Sequence, residues 1–307
     1  MTRAEQADAH KPRVLVLLAT FNGRQWIEPQ VQSILAQTGV DVRLVVSDDN
    51  STDGTWEWLT ALAESHGEVT LLPRGTRFGG AARNFFRLIR DADLAQGDFV
   101  ALADQDDIWL PGKLVRAVEM IGRTGAAAYS GNVTAFWPDG RSALIDKAQE
   151  QRRFDYMFEA AGPGCTYVLR STAMQQFRQF LLTHWEPANE AALHDWLMYA
   201  WCRANGLKWF IDGEPMLQYR QHGNNQFGAN HGMAAARSRL RMMRSGWYRR
   251  EIRRIAALVD ATRVGAPRSL ASDGTVPRLF LLRHWRELRR RTRDQLFFFV
   301  TVMFGIY

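Results

Sequence analysis

"GDFVALADQDDIWLPGKL", residues 97–114, runs an apolar stretch into three carboxylates, Asp104, Asp106 and Asp107, followed by a Trp and a Pro. The run "FVALA" has no polar interruption, which reads as a strand buried on both faces rather than one alternating between core and water. Carboxylates crowded at its end repel one another unless something neutralises them. A divalent cation would, and hard oxygen ligands suit Mg2+ or Mn2+ held jointly by protein and substrate phosphates. A competing reading makes Asp104 or Asp107 the cap of the helix expected over "LPGKLVRAVEMIG", with Pro111 near its first turn.

The same pattern recurs upstream. "RVLVLLAT" (13–20) reads as a buried strand stopped by "FNG", and "WIEPQVQSILAQT" as a helix with Pro29 in its first turn. "DVRLVVSDD" and "EVTLLP" read as strands, "STDGTWEWLTALAESH" and "GGAARNFFRLIRDA" as helices. Strands alternating with helices predict an α/β fold with a mainly parallel sheet covered on both faces. In such sheets ligands sit outside the carboxyl ends of the strands. Thr20 and Asn22, Asp48 and Asp49, and Asp104 to Asp107 all fall at those ends. "ATFNGRQW" is neither GxGxxG nor GxxxxGK[ST], which excludes a dinucleotide fingerprint and a P-loop.

With 307 residues, 46% of them hydrophobic, the chain can bury a sizeable core. Cys165 and Cys202 are too few and too far apart for a disulfide framework, so a cytoplasmic setting is the expectation. The net charge of +7 is unevenly spread: Arg237 to Asp294 holds 17 Arg and five acids, a charge of +12, leaving −5 for the rest. "MTRAEQADAHKP" lacks the apolar core of a signal peptide and reads as a loose leader.

The ordered set "ATFNGRQWIEPQVQSILAQT", "VVSDDNSTDGT", "ALADQDDIWLPGKL" and "HDWLMY" resembles the inverting family 2 glycosyltransferases, which have the GT-A fold. "GCTYVLR" and "YRQHGNN" bring it nearest to bacterial rhamnosyltransferases that build cell-surface polysaccharide. The resemblance implies that Thr20, Phe21 and Asn22 border the donor's nucleobase and that Asp48 bonds base or ribose. Asp49 and Asp53 would support that loop, although "SDDNSTDGT" is equally a turn and cap sequence. Asp104 would face the nucleoside or the metal's water shell, Asp106 would ligate the metal, and His222 would reach the cation or the diphosphate. Arg220 would bind the diphosphate. Gly164, Cys165 and Thr166 would form an acceptor-side loop, joined by His194 and Trp196 of "HDW", with Asp195 as general base. Arg77 departs from the family, whose members usually carry Asn there, and offers a charge-assisted phosphate contact. Arg83 and Asn84 are open between phosphate binding and structure.

These assignments imply a metal-dependent inverting transferase using a nucleotide-sugar, dTDP-L-rhamnose favoured, and a cell-surface glycan or lipid-linked acceptor. A nucleotidyltransferase would show a Gly-rich, basic first loop, and a nucleic-acid-binding scaffold would leave the strand-end carboxylates unexplained, so no nucleic acid is expected. The division is a leader (1–12), a GT-A catalytic domain (13–230) and an Arg-rich helical extension (231–307) with helices over 234–264 and 278–293. The chain ends in "LFFFVTVMFGIY", too short to span a bilayer. Arg-rich helices beside such a run either pack on the core or lie on an anionic membrane, and peripheral association at the inner face of the cytoplasmic membrane is the expectation.

Overall fold

The first strand, β1 (Arg13–Thr20), sorts its side chains by parity, as a strand covered on both faces must. Leu15 and Leu17 enter one apolar cluster; Val14, Val16 and Leu18 enter another. The structure, a computed structural model, describes residues 11–222, 245–272 and 277–306. Most of the expected leader and the part of the 234–264 helix before residue 245 therefore lie outside the described residues.

The elements follow as α1 (Ile27–Leu35), β2 (Asp41–Asp48), α2 (Thr55–Ser65), β3 (Val69–Leu71), α3 (Ala81–Asp91) and β4 (Phe99–Ala103). After the carboxylates come β5 (Ile108–Trp109), α4 (Lys113–Thr124), β6 (Ala128–Gly131), β7 (Val133–Phe136) and β8 (Ser142–Ile145). Then come β9 (Val168–Arg170), α5 (Ser171–Thr183), α6 (Trp185–Asn189), α7 (His194–Ala204), β10 (Trp209–Asp212) and β11 (Leu217–Arg220). The described C-terminal helices are α8 (Trp247–Leu258), α9 (Arg278–Arg283) and α10 (Thr292–Met303).

A seven-stranded sheet in the order β10-β6-β9-β4-β1-β2-β3 carries the core. It is parallel except for β9, which pairs antiparallel with both β4 and β6. One face is covered by the apolar sides of α1 and α4, through Ile27, Val31, Ile34, Leu114 and Ile121. The other is covered by α3, α5 and α7, through Phe85, Phe86, Phe177 and Leu197. The expected α/β sheet with helices on both faces is the observed one.

A second sheet, β5-β11-β7-β8, was not expected. The stretch "AAAYSGNVTAFWPDG" (126–140) forms two strands in different sheets, separated by Asn132, whose side chain accepts from the amides of Lys147 and Ala148 and donates to Asp146 and the Gly213 carbonyl. Neither Asp104 nor Asp107 caps α4: that helix follows Gly112, at φ +80°, and has no side-chain cap.

The C-terminal helices share the apolar core under the main sheet. Ile252, Ile255, Leu281, Leu288, Phe298 and Val302 belong to the cluster that holds α3 and α7. The helix expected over 278–293 breaks after Arg283, because the chain turns inward to bury Arg290. Its guanidinium meets Asp155 at 3.0 Å and Glu159 at 3.6 Å, while Asp155 also pairs with Arg203 and accepts from Tyr199. Removing one partner from such a buried set leaves uncompensated charge, at about 3–5 kcal/mol. Arg290→Met is therefore expected to lower the urea midpoint by a corresponding amount; a midpoint equal to that of the wild type would show that the network does not fasten the C-terminal helices to the core.

Candidate active site

The order β4-β1-β2 sets three strand ends side by side, and each continues into polar loop. Beside β4, the antiparallel β9 begins at the same rim, so the loop Gly164–Thr166 that leads into it lies next to the carboxylates. The N-terminus of α7 brings His194 and Asp195 to this loop: a Cβ placed on Gly164 would lie 3.1 Å from the Cβ of Asp195.

The second sheet completes the rim. β11 pairs antiparallel with β5, Gln218 opposite Ile108, so the residues after Gln218 run back over those before Ile108. The Arg220 amide donates to Asp107 Oδ1 at 3.2 Å and its Nε to the Asp106 carbonyl at 2.8 Å. His222 Nε2 lies 2.6 Å from Asp106 Oδ2, its ring stacked on Trp26 at 4.2 Å. Asp106, Arg220 and His222, 114 and 116 residues apart in the chain, are thus neighbours.

Burial controls the charges here. It pushes the Asp104 carboxyl up to about 7, helped by the negative charges of Asp106 and Asp195, and pushes Asp107 well above the carboxylate range. Cys165 is fully buried with its Sγ and one carboxylate oxygen each of Asp104 and Asp107 all within 4.8 Å of one another, and burial beside these acids pushes its thiol up as well. A thiol kept protonated donates to carboxylates and is a poor ligand for a hard cation. Asp107 Oδ2 is buried with no hydrogen-bond partner. The oxygen and imidazole donors that Asp106 and His222 bring together at the rim suit Mg2+ or Mn2+.

Asp195 is different. Burial lifts its carboxyl to about 6, and the amides of Trp196 and Gly164 together with Lys147 hold it from rising further. His194 is pushed down to about 3 by burial and is neutral, its ring stacked on Phe85 at 3.9 Å. It packs under the Gly164 loop rather than into the rim. Trp196 also leaves the rim: it is buried, donates its indole N–H to the Tyr156 carbonyl at 2.9 Å and stacks on Tyr248. As successive residues of a helix, Asp195 and Trp196 point about 100° apart, so the carboxylate meets the loop while the indole meets the core. Thr166 turns its hydroxyl back to the Pro163 carbonyl.

At the ends of β1 and β2, the loops are latched to one another. Gln105, to which the sequence assigned nothing, accepts from the Thr20 hydroxyl and the Phe21 amide and donates to the Phe21 carbonyl. Gly23 lies so close to Gln105 that a Cβ would overlap it. Asp48 is buried and accepts from the Ser51 amide and hydroxyl; Asn22 accepts from the Thr52 amide at 2.8 Å. Asp49 gathers the amides of Phe78, Gly79 and Gly80, and Asp53 those of Arg24 and Thr55. Asn84 is buried on Ser47 and Thr20, and Arg83 reaches the Asn189 carbonyl. Arg77 lies with its Cζ 4.2 Å from the Phe21 ring centre, a flat cation on the aromatic face at this edge of the rim. Trp26, Gln105 and Lys147 carry no motif of their own; only the folded chain reveals what they touch.

The family model for glycosyl transferase family 2 matches residues 15–182. The chain belongs to glycosyl transferase family 2. It is 40% identical over 292 residues to the dTDP-rhamnosyl transferase RfbG of Shigella flexneri, covering 94% of this chain and 100% of that one. It is 28% identical over 168 residues to an Escherichia coli UDP-Glc:alpha-D-GlcNAc-diphosphoundecaprenol beta-1,3-glucosyltransferase, WfgD, covering 53% of this chain and 62% of that one. Among solved structures, S. aureus TarS 1-349 in complex with UDP-GlcNAc aligns at TM-score 0.59 with 15% identity, covering 96% of this chain and 80% of that one. The Pyrobaculum calidifontis mannosyltransferase PcManGT, in complex with GDP-Man and Mn2+, aligns at 0.51 with 18% identity, covering 97% and 88%. The fold is that of GT-A glycosyltransferases, and this family 2 member is a glycosyltransferase.

Gly164 supplies a direct check of the rim's geometry. A Cβ there would stand 2.6 Å from His194 Nε2, and the ring cannot retreat because Phe85 backs it. Gly164→Ala is expected to displace the start of α7 and reduce kcat roughly a hundredfold, as ångström-scale misplacement does, with donor affinity within about twofold of the wild type. Unchanged kcat would place Asp195 outside the reaction.

Proposed function

We propose that the protein is an inverting rhamnosyltransferase that takes L-rhamnose from dTDP-L-rhamnose and, with a divalent cation, transfers it to a hydroxyl of a lipid-linked glycan. The observation that carries this reading is the division of labour among the rim carboxylates: Asp106 faces His222, whereas Asp195 stands across the Gly164 loop with its carboxyl raised to about 6. An inverting transfer needs one face of the sugar for the departing diphosphate and the other for a base. Extensive similarity to a dTDP-rhamnosyl transferase supports the donor, and the undecaprenol-linked substrate in the name of WfgD supports the acceptor class.

Asp106 and His222 would hold Mg2+ or Mn2+, which when bound supplies charge stabilisation to the leaving diphosphate. Arg220, fixed on the Asp106 carbonyl, adds a permanent positive charge on the same side. Phe21, beneath Arg77, offers an aromatic face for the base, and the latch by Gln105 keeps that face in place. Asp195 takes the proton of the acceptor hydroxyl as that oxygen attacks the anomeric carbon. Lys147 favours its ionised form.

Asp195→Asn retains size and removes the proton acceptor, so kcat is expected to fall by about 10²- to 10⁴-fold with donor affinity little changed. For the wild type, the base works only when ionised: kcat is expected to be constant above its titration and to decline as pH drops through about 6. A transfer assay across dTDP-L-rhamnose, UDP-glucose and GDP-mannose tests the donor. Faster transfer from UDP-glucose than from dTDP-L-rhamnose would overturn the rhamnosyl assignment, and donor binding lost in Asp195→Asn with kcat preserved would overturn its role as base.

A further inference from the structure

Among the described residues, eight large apolar side chains are exposed, and six of them, Leu279, Leu296, Phe297, Val300, Met303 and Phe304, lie on α9, α10 and the residue after it. Unlike a helix on a water-facing surface, α10 carries apolar residues on both sides, with Phe298 and Val302 packed into the core. Its inward side includes Gln295 and Thr301, both buried and hydrogen-bonded: Gln295 donates to the carbonyls of Arg286 and Arg289, and Thr301 to that of Phe298. Its outward side is apolar, with Phe304 at 77% exposure and Leu279 of the neighbouring helix at 83%. The face is rigidly mounted, since Phe298 packs edge-on against Phe158 and Tyr248 while Arg278 ties α9 to the Met303 carbonyl.

The margin of this face is basic. Residues 277–306 hold seven Arg against two acids, and those acids, Glu287 and Asp294, are engaged by His284 and Arg293. Arg278, Arg283, Arg286 and Arg293 are exposed. Arg286 lies over Trp285, which in turn meets Phe299, so a cation and an indole adjoin the apolar helix. Indole rings beside basic residues suit the headgroup level of a bilayer.

We propose that the outer face of α9 and α10 is a membrane-docking surface that seats in the headgroup region of an anionic bilayer. No described helix is long and apolar enough to cross a membrane, and α10, at 12 residues, is about 18 Å long and lies in the plane of the interface. Leu296, Val300, Met303 and Phe304 enter the acyl boundary, and the exposed arginines meet lipid phosphates. Charge decides between this occupant and a second copy of the chain: two copies meeting by this face would bring one arginine margin against the other, whereas an anionic surface neutralises it. The two alternatives read in the sequence, packing on the core and lying on membrane, are the inner and outer faces of the same helix. The inference stands on these helices alone and survives if the donor sugar is another one.

The test is co-sedimentation of the full chain with vesicles of phosphatidylcholine alone and of phosphatidylcholine with phosphatidylglycerol. Substitution is preferable to deletion of α10, which would strip Phe298 and Val302 from the core. The wild type is expected to bind the anionic vesicles at least tenfold more tightly than the neutral ones, and less tightly as salt rises. Val300→Glu with Phe304→Glu should abolish binding, and Arg283→Ala, Arg286→Ala and Arg293→Ala together should weaken it by roughly a hundredfold. All should keep the wild-type melting temperature and full transfer to a water-soluble acceptor. Absence of wild-type binding, or binding unaffected by either set, overturns the proposal. So does a wild-type dimer in sedimentation velocity that Val300→Glu with Phe304→Glu dissociates, which would assign the face to self-association.

Discussion

Mutual repulsion among Asp104, Asp106, Asp107 and Asp195 is the constraint around which the rest of this molecule is arranged. At one rim, partly withdrawn from water, these groups cannot all be ionised without compensation, and the chain offers a different one to each. Asp107 receives the Arg220 amide and shares its surroundings with the Cys165 thiol and with Lys113, whose amine burial depresses to about 7. Asp104 is held near neutrality by burial and by its two acidic neighbours. Asp106 meets His222 and has the most to gain from a cation. Asp195 has Lys147 and two amides, enough to keep it ionisable close to neutral pH. Four chemically identical side chains thereby sit in four different electrostatic settings.

The second sheet exists to deliver two of these compensations. β5 is only two residues long, yet its pairing with β11 fixes the register that sets Arg220 and His222 over Asp106. Such a strand has no periodicity to read. The strands of the main sheet were legible because runs such as "VLVLLA" and "FVALA" are apolar at every position, and their ends were legible because the polar residues begin abruptly there. β9 hid its direction: "TYVLR" looks alike whether parallel or antiparallel, and only the direction explains why Gly164–Thr166 stands at the rim.

Motif reading assigned neighbours in sequence to neighbours in space, and on α7 this failed for Trp196, which the helix turns into the core. It also passed over Trp26, Gln105 and Lys147, whose roles arise from contacts across 84 residues or more for Gln105 and from ring stacking for Trp26. The arginine count in the C-terminal segment was visible, but not its partition. Arg289 and Arg290 turn inward to Glu159 and Asp155 and Arg291 pairs with Asp146, whereas Arg278, Arg283, Arg286 and Arg293 face solvent on or near α9 and α10. Composition cannot distinguish a structural arginine from a surface one; burial does.

The central claim is that the carboxylates are functionally divided, with Asp106 serving the cation and Asp195 the proton. Calorimetric titration of Mn2+ into the protein in the presence of dTDP tests it without requiring the acceptor. The wild type and Asp195→Asn should bind Mn2+ with the same affinity, within about twofold, while Asp106→Asn should lose at least tenfold, as removal of a ligand carboxylate from a hard-cation site entails. Equal Mn2+ affinity in Asp106→Asn and wild type, or a loss confined to Asp195→Asn, would contradict the division.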